Sequence, residues 1–368
     1  MSSPARVTIL LLADHSAQWR LGGLTQVERL RRACADTWGR EVNVAVWTFG
    51  GPDLDLEGPV IVLHTSLVVA AGGLRGLLPR LPRLAADDPK VRQWTEAYEV
   101  FRSALRGSAG NTSGPFWEVI ADGGDVGAVE DRLFRSLGKR TDGFVSRSLN
   151  RPISIAITRV LAKTPLRPDH WTLLMLPLPF VMAAVLASGT AGGFVAGTLI
   201  FHLASVLDGC DGELARLTFQ STRYGERLDN AVDQLGNLLL PLSLGFGLVA
   251  QTGRAEYRWQ ALACVALMLI GFGLAARFTT ARTGAGHWND LGTQLVDEAA
   301  ASGLRRRAML IAFGLLKRDS YALLFVVLAA AGRPSWILHL LFAGAAGHAV
   351  VLGLARVRDR WRLASGAL

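Results

Sequence analysis

From about residue 168 to residue 356 the chain is dominated by long apolar runs with short polar breaks. A helix needs roughly 20 apolar residues to cross the hydrocarbon core of a bilayer. By that measure the candidate spans are 171–188, 191–210, 228–251, 258–278, 319–332 and 335–356. The fifth is short and needs the preceding Leu315–Leu316 or a thinned bilayer. Basic residues orient the set. Arg216, Arg223 and Arg227 lie between the second and third spans, and Arg305, Arg306, Arg307, Lys317 and Arg318 between the fourth and fifth. Arg356, Arg358, Arg360 and Arg362 follow the sixth, whereas the opposite loops are short and carry little charge. The positive-inside rule then predicts both termini in the cytoplasm.

Four acids interrupt this apolar sequence at the predicted cytoplasmic edge: Asp208, Asp211, Asp229 and Asp233. Charge beside a bilayer is expensive and marks a functional site by default. At helical spacing Asp208, Asp211 and Ala215 fall on one stripe, with Gly212 and Arg216 on its edge, and Gly225, Asp229 and Asp233 form a second stripe. Small residues flank both pairs of acids, leaving room for a ligand. Converging carboxylates repel one another unless divalent cations lie between them, and oxygen ligands favour Mg²⁺, Mn²⁺ or Ca²⁺ over zinc.

The string D-x2-D-G-x2-A-R-x8-G-x3-D-x3-D, running from Asp208 to Asp233, resembles the signature of the CDP-alcohol phosphatidyltransferases at every fixed position. The resemblance implies an integral-membrane, metal-dependent enzyme, and the positive-inside topology puts its active site and N-terminal domain on the cytoplasmic face of a prokaryotic membrane. Such an enzyme attacks the β-phosphorus of a CDP-linked donor with an alcohol and releases CMP. It further implies that Asp208, Asp211, Asp229 and Asp233 hold two Mg²⁺ or Mn²⁺ ions and that Asp233 is the general base. CDP would lie against Asp208, Asp211, Gly212, Ala215, Arg216 and Gly225. A homodimer is also implied.

A second likeness lies upstream. Arg132-Leu-Phe-Arg-Ser-Leu-Gly-Lys-Arg-Thr-Asp-Gly-Phe-Val-Ser-Arg-Ser-Leu-Asn-Arg-Pro-Ile-Ser154 is similar to the linker of one branch of that family, as is Lys317-Arg318-Asp319. In that branch a sugar-nucleotidyltransferase domain is fused to the membrane transferase, as in the inositol-phosphate cytidylyltransferase/di-inositol-phosphate-phosphate synthases. The donor implied is CDP-diacylglycerol or CDP-inositol, and the preferred acceptor inositol phosphate. Glycerol phosphate or another alcohol is the alternative within the class. A non-catalytic membrane scaffold or transporter is the alternative outside it, disfavoured because such a protein has no use for four costly acids.

Residues 1–125 read as a soluble α/β, Rossmann-like domain, 126–168 as a linker with a juxtamembrane amphipathic helix, and 169–368 as a six-helix membrane domain. Val7–Ala13, Val42–Phe49, Val60–Leu63 and Trp117–Ala121 are strand candidates. Leu24–Trp38 and the stripe Trp94, Tyr98, Phe101, Leu105 are helical, and Arg106–Pro115 is a loop. The turn Leu12-Ala-Asp-His-Ser-Ala-Gln-Trp-Arg20 lacks the glycines with which active nucleotidyltransferases cradle a triphosphate, and no lysine precedes Lys90. The domain therefore reads as a shortened relative that has lost its own catalysis.

A net charge of +9 is also found in nucleic-acid-binding proteins, but here arginines grouped at membrane edges are accounted for by topology and anionic lipid headgroups. Arg277 and Arg282 after the fourth span, with Lys317 and Arg318 before the fifth, are candidates for an acceptor phosphate. Cys34, Cys210 and Cys264 lie too far apart in sequence to suggest zinc or a disulfide framework.

Overall fold

Thr8–Ala13 (β1) reads Thr-Ile-Leu-Leu-Leu-Ala and is buried at every position, as a strand with neighbours on both sides must be. In the computed structural model, which describes residues 7–39, 42–52, 54–105, 115–121, 123–139, 142–282 and 317–364, this strand is central in a four-stranded sheet. Asn43–Thr48 (β4) and Pro59–His64 (β5) flank it in parallel, and Arg83–Ala85 (β7) adds an antiparallel edge beside β5. A hairpin, Arg20–Leu21 (β2) and Leu24–Thr25 (β3), follows β1. It turns through Gly22 and Gly23, both at positive φ. A Cβ on Gly23 would lie 1.8 Å from the Ala162 carbonyl oxygen, so no side chain fits there.

Thr25 also N-caps Gln26–Trp38 (α1), its hydroxyl accepting from the Glu28 N–H. The cap explains why this helix begins at Gln26 and not at Leu24. Trp117–Val119 (β8) is a strand, but it pairs with Leu67–Val69 (β6) outside the main sheet. Gly73–Leu77 (α2), Trp94–Ala104 (α3) and Val126–Arg135 (α4) complete the α/β region. Its core gathers Leu10 and Leu12 of β1, Leu30 and Cys34 of α1, Val62 of β5, Phe101 of α3 and Trp117 of β8. Most of the loop at 106–115 lies outside the described residues.

The rest of the chain is helical: Arg151–Leu161 (α5), Pro168–Met175 (α6), Pro177–Ala187 (α7), Ala191–Thr218 (α8), Arg223–Thr252 (α9), Glu256–Arg282 (α10), Arg318–Ala330 (α11) and Pro334–Ala364 (α12). The first expected span divides at Leu176, because Pro177 has no N–H to continue the hydrogen-bond ladder. Among the described residues three helices are long and apolar enough to cross a membrane: Pro168–Ala187, Ala191–Thr218 and Arg223–Thr252. Expected spans 258–278 and 335–356 fall within α10 and α12, while α11, at 13 residues, is shorter than a full crossing requires. Arg305, Arg306 and Arg307 lie outside the described residues.

The chain divides into two units. The first takes in the chain up to Lys139 together with Ser154–Pro168 and Cys210–Thr222, and the second includes Asp169–Gly209 and the chain from Arg223 onward. In the second unit Met182, Leu186, Phe194, Phe201, Leu240, Leu244, Phe325 and Ile337 form the core. Phe180, Leu199, Phe246, Ile270, Val327 and Trp336 remain exposed. Large apolar side chains exposed on one helix after another are the signature of a surface that meets lipid. α7 and α9 approach closely through glycine, since a Cβ on Gly247 would sit 2.1 Å from the Leu186 carbonyl oxygen.

His64, at the end of β5, is 1% exposed and held between the Ser66 side chain and the rings of Trp94, Tyr98 and Phe101. Burial pushes its pKa down from 6.5 to about 4, against the opposing pull of Asp14. The native state therefore holds this imidazole neutral while the unfolded chain takes up a proton. The stabilisation is complete above pH 6.5 and is lost as the pH falls towards 4, by up to roughly 3 kcal/mol. Amide exchange in β1 and β5, corrected for its intrinsic pH dependence, is expected to accelerate across that window in the wild type and much less in His64→Phe.

Candidate active site at the aspartate cluster

α8 and α9 each contribute carboxylates to one place. Asp208 on α8 and Asp229 and Asp233 on α9 are half-buried and can each offer an oxygen within 4.8 Å of the others. The four-residue spacing puts Asp229 and Asp233 on the same face of α9. Arg318, the first residue of α11, enters this group, ion-pairing with Asp233 and standing 3.7 Å from an Asp208 oxygen. Its guanidinium lies over the Phe201 ring at 5.6 Å, and Phe201 also stacks with Tyr321. One turn before Asp208, the Ser205 hydroxyl donates to Asp319 at 2.8 Å, so α8 and α11 are joined beside the cluster. Trp171 of α6 donates through its indole N–H to the Leu207 carbonyl at 3.0 Å.

Three carboxylates and one guanidinium leave an excess of negative charge in a partly dehydrated place. An all-oxygen donor set this compact suits a hard divalent cation, so the residues present fit Mg²⁺ or Mn²⁺.

The remaining residues of the signature follow on α8. Asp211 is 8% exposed, and its carboxylate accepts from the Gly212 N–H. It lies outside the group formed by Asp208, Asp229 and Asp233. Among the described residues, a Cβ on Gly212 would have only the Arg216 guanidinium near it, at 3.2 Å. Ala215 is partly buried, and Arg216 donates to the Leu137 carbonyl at 2.9 Å. Gly225 lies in the first turn of α9 and is half-buried. Lys317 caps the start of α11 beside Arg318. Arg277 and Arg282 are in the last turns of α10, and their side chains lie outside the described residues.

Two features were not read from the sequence. Glu213, in a variable position of the signature, is fully buried and accepts from the Ser154 and Thr158 hydroxyls of α5, both at 2.7 Å. Only its helical phase signalled that it faces away from Asp208. The other is that Arg318, a candidate for an acceptor phosphate, reaches the carboxylates of Asp233 and Asp208. A long-range ion pair leaves no periodic trace.

Residues 166–331 match the sequence model of the family described as CDP-alcohol phosphatidyltransferase. Among curated proteins, the "Bifunctional IPC transferase and DIPP synthase" of Rubrobacter xylanophilus is 37% identical over 165 residues, covering 45% of this chain and 36% of that protein. Proteins of the same name from Aquifex aeolicus and Archaeoglobus fulgidus are 33% and 29% identical over 123 and 127 residues. Those stretches cover 33% and 34% of this chain, and 28% and 25% of the respective proteins. The aligned part thus spans about a third or less of each relative. Residues 166–331, which carry the aspartate signature, thus match the CDP-alcohol phosphatidyltransferase family that the signature resembles.

Proposed function

We propose that the protein is an integral-membrane CDP-alcohol phosphotransferase that moves a phosphatidyl or phospho-alcohol group from a CDP-linked donor to an alcohol, with inositol phosphate the preferred acceptor. The observation that carries this reading is the convergence of Asp208, Asp229 and Asp233 with Arg318 at the ends of apolar helices. Asp208, Asp211, Asp229 and Asp233 would hold two Mg²⁺ or Mn²⁺ ions, which when bound neutralise charge on the donor pyrophosphate. The acceptor hydroxyl attacks the β-phosphorus, the bond from that phosphorus to the bridging oxygen breaks, and CMP leaves with that oxygen. Asp233 takes the hydroxyl proton. Its ion pair with Arg318 holds the carboxylate in one orientation, which a base beside metal ions needs. Gly212, Ala215 and Gly225 leave room for the cytidine, and Arg216 faces a donor phosphate. Six spans, a cytoplasmic active site and N-terminal domain, and a homodimer belong to the same reading, supported by the distribution of arginines and by the family.

CMP release by the purified protein, from CDP-diacylglycerol and from CDP-inositol across a panel of acceptors, tests this directly. Asp208→Asn, Asp229→Asn and Asp233→Asn are each expected to reduce turnover on the order of 10²-fold while the protein still folds in detergent, because amides bind hard cations weakly. Wild-type release from any of them at limiting Mg²⁺ removes that residue from the site.

An acceptor phosphate brings about two negative charges towards the carboxylates and needs cations of its own. Lys317→Ala is expected to raise the acceptor KM about tenfold and leave the donor KM unchanged, the loss of one charge-assisted contact. Arg318→Ala should in addition lower kcat, since it also frees Asp233. Equal changes in both KM values would make these residues topology anchors only.

The N-terminal domain is read as non-catalytic. Asp14 supports this, because its carboxylate accepts from the Ser16 backbone N–H at 2.8 Å and from its hydroxyl at 2.6 Å. An acid thus fills the turn in which a nucleotidyltransferase would receive a phosphate. The protein is expected to make no CDP-inositol from CTP and inositol phosphate, and pyrophosphate release in that assay would refute the reading.

A further inference from the structure

The C-terminal end of α8 is fastened to the α/β region in a way that the signature does not account for. α8 runs through Asp208 in the second unit into the first unit at Cys210, and stops at Thr218. A helix leaves its last carbonyls without intrahelical donors, and cations are favoured there. Arg29 of α1, with no exposed surface, donates to the Leu217 carbonyl at 3.2 Å and to the carbonyls of Val69 and Leu21. Arg32, one turn further along α1, donates to the Thr218 carbonyl at 2.9 Å. Two guanidinium groups of a soluble domain thus cap the helix that carries Asp208 and Asp211.

The next residue adds a third attachment. Phe219 has φ 57 and is the one non-glycine residue at positive φ among those described. The Gln220 N–H bonds back to the Ala215 carbonyl at 3.0 Å, closing a left-handed cap of the kind glycine usually supplies. A phenylalanine in this conformation is strained. Its ring packs against the α/β core, a contact that offsets the strain and that glycine could not make. The sequence therefore keeps an unfavourable backbone residue in order to place an aromatic ring in the α/β core.

We propose that Arg29, Arg32 and Phe219 are positioning residues, through which the N-terminal domain fixes the rotation and axial position of α8 and hence of Asp208. Leu217 is nine residues beyond Asp208, about 14 Å along the helix, so fraying or rotation of the anchored end reaches the carboxylate directly. The N-terminal domain then has a use in a protein whose own nucleotide turn is filled by Asp14. The consequence for turnover rests on the phosphotransferase reading above; the anchoring does not.

The test uses the full-length protein in detergent, with two measurements on each variant: steady-state CMP release, and amide exchange over residues 211–218. Arg32→Ala and Phe219→Gly are the main variants. Glycine tolerates the left-handed turn, so the second removes the ring while keeping the cap. Arg29→Lys retains the charge, and Arg31→Ala, an exposed neighbour on α1, removes an arginine that makes no such contact. Exchange of β1 amides reports whether the domain stays folded.

With β1 unchanged, Arg32→Ala and Phe219→Gly are expected to speed exchange at 211–218 about tenfold or more. They should also lower kcat about tenfold with the donor KM within about twofold. Arg29→Lys should retain part of the activity, and Arg31→Ala should match the wild type. Unchanged exchange in Arg32→Ala and Phe219→Gly overturns the anchoring. Faster exchange with wild-type kcat overturns its role in positioning. If the wild type releases no CMP from any donor, the phosphotransferase reading falls, and the exchange measurement alone decides whether the helix end is held.

Discussion

Carboxylates within 4.8 Å of one another repel strongly, and at the edge of apolar helices there is little water to weaken that repulsion. The arrangement around Asp208, Asp229 and Asp233 answers this constraint. Arg318 opens a helix where its guanidinium reaches two of the acids while its flat face rests on Phe201. Arginine suits this place better than lysine, because its planar fork can bind carboxylates along its edge and stack on a ring with its face. α9, which carries two of the acids, also packs closely on α7 through glycine, with Gly247 against the Leu186 carbonyl, so packing as well as charge holds its position.

The α/β region meets a related difficulty with the opposite sign. Arg29 is fully buried, and its burial lowers the guanidinium pKa to about 10, so it remains protonated at neutral pH. No carboxylate neutralises it within hydrogen-bond distance among the described residues. Its partners are the carbonyls of Val69, Leu21 and Leu217. Carbonyl oxygens that end a strand or a helix carry partial negative charge and need donors, so the cation and the chain ends satisfy each other. Glu213 is handled in the same economical manner, by two hydroxyls one turn apart on α5.

The sequence made these arrangements visible to different degrees. The family signature was legible because it is local: aspartates at helical spacing next to glycine and alanine, within apolar runs. β1 was legible from its unbroken apolar run, and α1 from its period, except that the Thr25 cap moved its start to Gln26. Pairing was less visible. Trp117–Val119 has strand composition whichever partner it takes, and it is the partner, Leu67–Val69, that removes it from the main sheet. Arg29, Arg32 and Phe219 were not legible at all. Each looks like an ordinary residue of its own segment, and its partner is far away in the chain.

The stretch from Thr218 to Arg223 has one more consequence. α8 ends at a turn whose handedness is fixed by Phe219, and α9 begins after only four intervening residues, Phe219–Thr222. A connection this short acts as a ruler. Each residue of an α-helix advances its side chains by about 100°. Losing or gaining a single residue within the first turn of α9 would turn Asp229 and Asp233 by about that angle relative to the turn before it, and four residues leave little slack to take up the change. The eight residues between Arg216 and Gly225, Phe219 among them, thus set where the second half of the signature begins.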